Sequence, residues 1–282
     1  MKKKIIFFVL AIGILGACKK KDPAAPYHLV FKFKFNPNQE RLDNFGNPTT
    51  IPIGNAGQSP RFNMLTAHYF ELSPNALTQL GNGTILYHAP ETTLGGETAI
   101  EFDKSIFKKE DEIYLSVPLN KITPQTYEYL RISFAYQNYD ITFRVNGTDY
   151  TGTVASFVGY NTYIKDVKVK NQTISINANK KQGFWAFETL TGVLQGQAPG
   201  TTVPNPIAAT SPIPPGSCVV TAKFDTPLQI TGRENKDIVI TVSVSNNKSF
   251  EWKDDNGNGH FEPTLGETVV DMGIRGMKMI VE

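Results

Sequence analysis

Cysteine is scarce in this chain of 282 residues: Cys18 and Cys218 are the two thiols, so a framework of several disulfides is excluded. Histidine is nearly as rare. The four copies, His28, His68, His88 and His260, are too scattered to spell a transition-metal site by spacing. Uncompensated charge is missing too, with 28 Lys and Arg against 26 Asp and Glu, which removes a global electrostatic case for nucleic acid. No apolar run reaches the roughly 20 residues that a membrane-spanning helix needs. A helical period is sustained nowhere beyond about two turns near Asn75 to Leu80. Serine-protease-like orders, Cys/His pairs, phosphate loops and dinucleotide glycine patterns are likewise absent.

What the chain does have begins at its N-terminus. Met1-Lys2-Lys3-Lys4 precedes an apolar run from Ile5 to Leu15, and small residues Gly16-Ala17 lead into Cys18. That layout is the three-part plan of an export signal over residues 1–17. Leu15-Gly16-Ala17-Cys18 resembles the lipobox of bacterial lipoproteins, which implies that Cys18 carries the lipid and becomes the mature N-terminus. Residues 18–26, with Lys19-Lys20-Lys21 and Pro23-Ala24-Ala25-Pro26, then read as a tether. Acyl chains at about 0.8 kcal/mol per buried methylene would make that anchor durable. Lys19, rather than an inner-membrane retention Asp, points to the outer membrane of the cell envelope, in either leaflet. Losing the three signal lysines turns the formal charge of +2 into −1. Lipidation of Cys18 would leave Cys218 alone, which reads as a buried structural thiol.

From Tyr27 onward, alternation of apolar and polar residues dominates. Leu29, Phe31, Phe33 and Phe35 share one face while Lys32 and Lys34 take the other. The same period recurs over 113–117, 130–134, 141–145, 164–169, 173–176, 219–224, 238–244 and 277–281. Turn chemistry such as Asn82-Gly83 and Asn146-Gly147 separates the runs. These features predict an all-β fold, an antiparallel Ig-like β-sandwich over residues 27–282 with long loops. Two such loops are expected: Asp43 to Pro60, and a Pro/Gly-rich excursion from Gly192 to Gly216 that should not join a ladder.

The sharpest chemical motif is Asp254-Asp255-Asn256-Gly257-Asn258-Gly259-His260-Phe261-Glu262. Asp254, Asn256 and Asn258 offer oxygens at positions one, three and five of a calcium loop, with Gly259 at the sharp turn. His260 would ligate through its carbonyl, Phe261 would point into the core, and Glu262 stands at position nine. Position twelve is Leu265, so a closing carboxylate must come two residues late, from Glu267, with Pro263 to Gly266 looped outward. The alternative is a plain Asn-Gly-rich turn between two strands. His28 and His260 read as exposed, whereas His68 and His88 lie in strand-like runs and read as hydrogen-bonded scaffold unless they converge. Phe184, Trp185 and Phe187, with Tyr136, Tyr139, Tyr160 and Tyr163, could line a glycan or peptide groove or could simply fill the core.

The order of the runs Leu29 to Phe35, Phe62 to Phe70, Tyr129 to Phe134, Phe184 to Phe187 and Ile238 to Val244 resembles the MbnP-like family of periplasmic or surface β-sandwich proteins. That resemblance implies an MbnP-like sandwich and copper chemistry in which a tryptophan is oxidised and histidines hold the metal. Trp185 is the one residue carried over, and no histidine lies near it in sequence; His68 and His88 are the remaining candidates. Three functions stay open: a non-enzymatic, calcium-stabilised envelope module binding a protein or glycan, a copper-binding protein, or an envelope hydrolase using a pair of carboxylates.

Overall fold

The protein's structure, a computed structural model, describes residues 27–199 and 211–282. The signal segment, Cys18 with its tether, and residues 200–210 of the excursion lie outside the described residues. In chain order the first strands are β1 (His28–Asn36), β2 (Asn55–Gln58), β3 (Arg61–Ser73), β4 (Thr84–His88), β5 (Glu91–Thr92), β6 (Ala99–Glu101) and β7 (Ile113–Pro118). Next come β8 (Gln125–Val145), β9 (Thr148–Phe157), β10 (Asn161–Lys168), β11 (Thr173–Lys181), β12 (Phe184–Thr189) and β13 (Gly192–Gln197). The last are β14 (Cys218–Ile230), β15 (Ile238–Ser245), β16 (Phe250–Lys253), β17 (Val269–Asp271) and β18 (Met277–Val281). The fold is an all-β sandwich, as the alternation predicted.

Its spine is β8, whose two halves find different partners on one edge. Residues Gln125 to Phe134 pair with β14, and Tyr136 to Val145 pair with β9. Along the other edge β3 follows nearly the full length. Ala135 is the hinge between the halves, an extra residue between the pairs Phe134↔Ala67 and Tyr136↔Thr66. Strands β13, β12, β9, β8, β3 and β4, with β14 beside β8, make a seven-stranded central sheet.

Both faces of that sheet are covered. On one side the sheet β18-β15-β1-β7 delivers Leu29, Phe31 and Phe33, all fully buried; Phe31 and Phe33 meet Phe70 at 5.4 and 6.1 Å. Each such ring contributes on the order of 1.5–3 kcal/mol by leaving water. On the other side, Phe102, Tyr136, Phe157, Ile164 and Phe184 form a second core against β10 and its neighbours. The split is visible along β9, where Val154 belongs to the first core and adjacent Ala155 to the second. A sheet buried on both faces loses the apolar/polar alternation, and β8 is accordingly buried continuously from Leu130 to Ile141.

Several expectations need correction. The pairs β1/β15 and β6/β10 are parallel, which long connections permit. Gly192–Gln197 does join a ladder, pairing with β12, because the prolines of the excursion begin only at Pro199. Inside the Asp43 to Pro60 loop, β2 pairs with β16. Residues 75–80 are turns, with Asn75 Oδ1 accepting from the amides of Leu77 and Thr78 instead of starting a helix. His28 and His260 are half-buried, not exposed.

Candidate metal centre

His68 owes its position to a bulge in β3. Ala67 pairs with Phe134 and Tyr69 with Ser133, so His68 is the extra residue, released from the ladder and re-aimed. Its carbonyl accepts the amide of Ala89 at 2.7 Å, which brings the end of β4 alongside. His88, the last residue of β4, lies opposite Tyr69, and its ring stands 4.7 Å from that of His68. Pro90 has no amide hydrogen to extend the strand, so the chain leaves the central sheet there. It enters β5 at once, where Glu91 pairs with Ile100.

Crossing in this way returns Glu91 to the histidine pair. Its Oε1 is 3.0 Å from His68 Nε2 and 3.8 Å from His88 Nε2, and it also accepts the Tyr160 hydroxyl at 2.9 Å. One ligand atom from each of His68, His88 and Glu91 lies within 4.8 Å of the others, the one such group among the described residues. Burial, outweighing the hydrogen bond to Glu91, keeps the fully buried His68 imidazole below its ordinary pKa and hence neutral at pH 7. The hydrogen bond from His68, helped by that of Tyr160, holds the Glu91 carboxyl below the usual range, against desolvation. Neutral imidazole and ionised carboxylate are the ligating forms. His68 Nδ1 is buried without a hydrogen-bond partner, whereas the His88 side chain, 35 % exposed, keeps the cluster open to solvent. Two imidazoles and one carboxylate suit a divalent transition ion and leave coordination positions free.

Sequence reasoning named both histidines but missed Glu91. The signal was His88-Ala89-Pro90-Glu91, a strand end, a proline and a carboxylate three residues on.

Trp185 is not part of this cluster. It lies across Gly196 of β13, where an added Cβ would stand 2.1 Å from the indole. With Ile141, Val154, Phe187, Phe261 and Glu267 it lines an apolar cavity of about 220 Å³. Cys218 is buried, and burial pushes its thiol up to about 12, as befits a structural residue. Tyr136, Tyr139, Phe184 and Phe187 are core residues, while Tyr160 and Tyr163 are half-buried. Of the two readings of these aromatics, most of them therefore take the packing one.

In the acidic loop, the late carboxylate does come back. Pro263–Leu265 makes a single outward 3₁₀ turn, with Leu265 exposed and Gly266 left-handed at φ 95°. Glu267 is 5 % exposed, and its Oε2 accepts the Glu262 amide at 2.7 Å. Asp254 Oδ2 accepts from the Gly259 amide at 3.0 Å, and Glu262 Oε2 from the Asn256 and Asn258 side-chain amides at 2.8 and 2.6 Å. Burial, with Asp254 and Glu262 close by, raises the Glu267 carboxyl; the Asn258 and Asn256 hydrogen bonds lower that of Glu262. Phe261 does point inward, packing on Phe250 and Trp252 at 5.1 and 5.7 Å. His260 presents its amide to Asn258 Oδ1 at 2.8 Å.

Three cavities border these regions of the sandwich. Glu267, Asp271 and Asp149 each stand as the single acidic residue lining their own. Comparison of the chain with protein-family models, with curated proteins and with solved structures found no match in any of the three.

Proposed function

We propose that the protein is a non-enzymatic, lipid-tethered envelope lipoprotein that binds a divalent transition metal at His68, His88 and Glu91. The observation that carries this reading is the convergence of the three side chains, brought together by a bulge in one strand and a proline at the end of the next. Copper(II) is the favoured ion, because sites of nitrogen and oxygen donors hold it more tightly than the other first-row divalent ions. The MbnP-like resemblance supports the same metal, although Trp185 stands elsewhere and is expected to remain unmodified. Cys18 supplies the anchor, and the outer membrane is the proposed location. A coordination position left open beside the solvent-accessible His88 would admit water or a donor from a protein or glycan partner.

Equilibrium titration of the metal-stripped chain tests the reading. One equivalent of copper(II) should bind, and His68→Ala, His88→Ala and Glu91→Ala should each weaken it more than tenfold. Absence of stoichiometric binding, or binding that all three variants retain, would contradict it. Intact mass should show Trp185 without added oxygen.

A further inference from the structure

A second feature is independent of the histidine cluster and concerns the acidic loop. We infer that the loop from Asp254 to Glu267 is a calcium site that ties β16 to β17, with Asp254, Asn256, Asn258, the His260 carbonyl, Glu262 and Glu267 as its oxygen donors.

The inference rests on two orphaned atoms as well as on the spacing. Glu267 is only 5 % exposed, and its Oε1 is buried with no hydrogen-bond partner; Asp254 is half-buried, but its Oδ1 atom is likewise buried and unpartnered. The other oxygen of each carboxylate is satisfied by a loop amide, Gly259 for Asp254 and Glu262 for Glu267. Each carboxylate therefore directs one lone-pair-bearing oxygen at backbone and leaves the second for something else. The carboxylates of Asp254 and Glu262 lie near enough to Glu267 to raise its pKa, beside the larger effect of burial. A buried acceptor without a donor is costly, and two together repel. A cation cancels both costs.

Hard oxygen donors, no thiolate, and a flexible run of glycines fit calcium, which takes six to eight oxygens at variable geometry, better than magnesium. The amide oxygens of Asn256 and Asn258 accept the Asn258 and His260 amides and keep a second lone pair each. A plain Asn-Gly turn would explain the hydrogen bonds inside the loop but not the late return of a buried Glu267. The location gives the site a consequence, since Phe261, Pro263 and Glu267 form one wall of the apolar cavity lined by Trp185. Trp252 touches Phe261 from the other side. Both tryptophans of the chain therefore report on the loop.

The test uses the full-length chain, purified in detergent, stripped with EGTA and titrated with calcium chloride to 10 mM. For an affinity of about 10⁻⁴ to 10⁻³ M, Tm should rise by about 3 to 10 °C. Tryptophan emission should shift over the same range, and magnesium should do less. Glu267→Gln and Asp254→Asn should fold, with an unchanged or higher Tm in EGTA because the repelling pair is gone, and should lose the calcium response. His68→Ala should keep it. A flat wild-type titration, an equal response to magnesium, or variants that respond like wild type would overturn the inference; a flat titration with a more stable Glu267→Gln would show that a shared proton, not a cation, joins the two carboxylates.

Discussion

Asp140 shows how one buried charge is held in this sandwich. Its carboxylate is largely buried on β8 yet receives Thr153 Oγ1 at 2.6 Å, Asn63 Nδ2 at 3.2 Å and the Arg61 guanidinium, with Lys170 Nζ at 3.6 Å. Burial alone would raise its pKa, but these partners together lower it. A carboxyl with a lower pKa folded than unfolded contributes stability above the unfolded value, which is lost as pH falls through the folded one. Asp140→Asn should therefore cost about 2 kcal/mol at pH 7, within the range of hydrogen bonds to charged groups. It should also flatten the fall in stability below about pH 4, measured by urea unfolding. At this scale the sequence was partly legible. The loop oxygens could be named from their spacing because they sit within fourteen residues of one another. Glu91 carried only the weak signal of following Pro90, and its meeting with His68 depends on a bulge that only the pairing of β3 with β8 creates.

The element that organises the rest is β8, and the turn that ends it was marked in the sequence by Asn146-Gly147, although β9 beyond it was not. Those two residues have φ of 50° and 76°, the left-handed pair of a tight hairpin turn, and Arg144 closes on Asp149 at 2.7 and 3.0 Å just before it. Gly147→Ala should lower stability by about 1 kcal/mol, read from the denaturation midpoint, without altering metal binding. Strand periods that face solvent on one side, such as β1, were legible for the same reason, namely one wet face. The two ends of β8 showed their period, but its middle, residues 135–140, is buried on both faces and shows none, so one long strand read as two; the pairing of β13 was hidden by its glycines. Gly196 carries no side chain to mark a face, and its vacancy is filled by Trp185 from the neighbouring strand.

Across the whole molecule, distant parts of the chain are joined by buried charge as well as by sheet pairing. Glu251 on β16 binds the Arg41 guanidinium from the first loop and that of Arg275 at 2.8 Å, while Arg275 also meets Asp271 at 2.9 Å. All four side chains are less than one-fifth exposed. Removing the shared anion would leave two guanidinium groups poorly compensated, so Glu251→Ala should cost about 3–5 kcal/mol, checked by equilibrium unfolding. The same network explains why the C-terminal strands do not stand apart: β15 pairs with β1, β14 with β8, and Glu251 ties β16 back to residue 41. Fold class was legible because composition and period act over the entire chain, whereas layer order was not, because it depends on which strands meet over separations of up to about two hundred residues.

The histidine cluster sits where two of those layers touch, β3 and β4 of the central sheet against β5. Crystals of the metal-stripped protein soaked in copper(II), measured at the copper absorption edge, test it most directly. One strong anomalous peak is expected about 2 Å from His68 Nε2 and His88 Nε2, with a Glu91 oxygen completing the set. A peak elsewhere, or none at full soak, would contradict it.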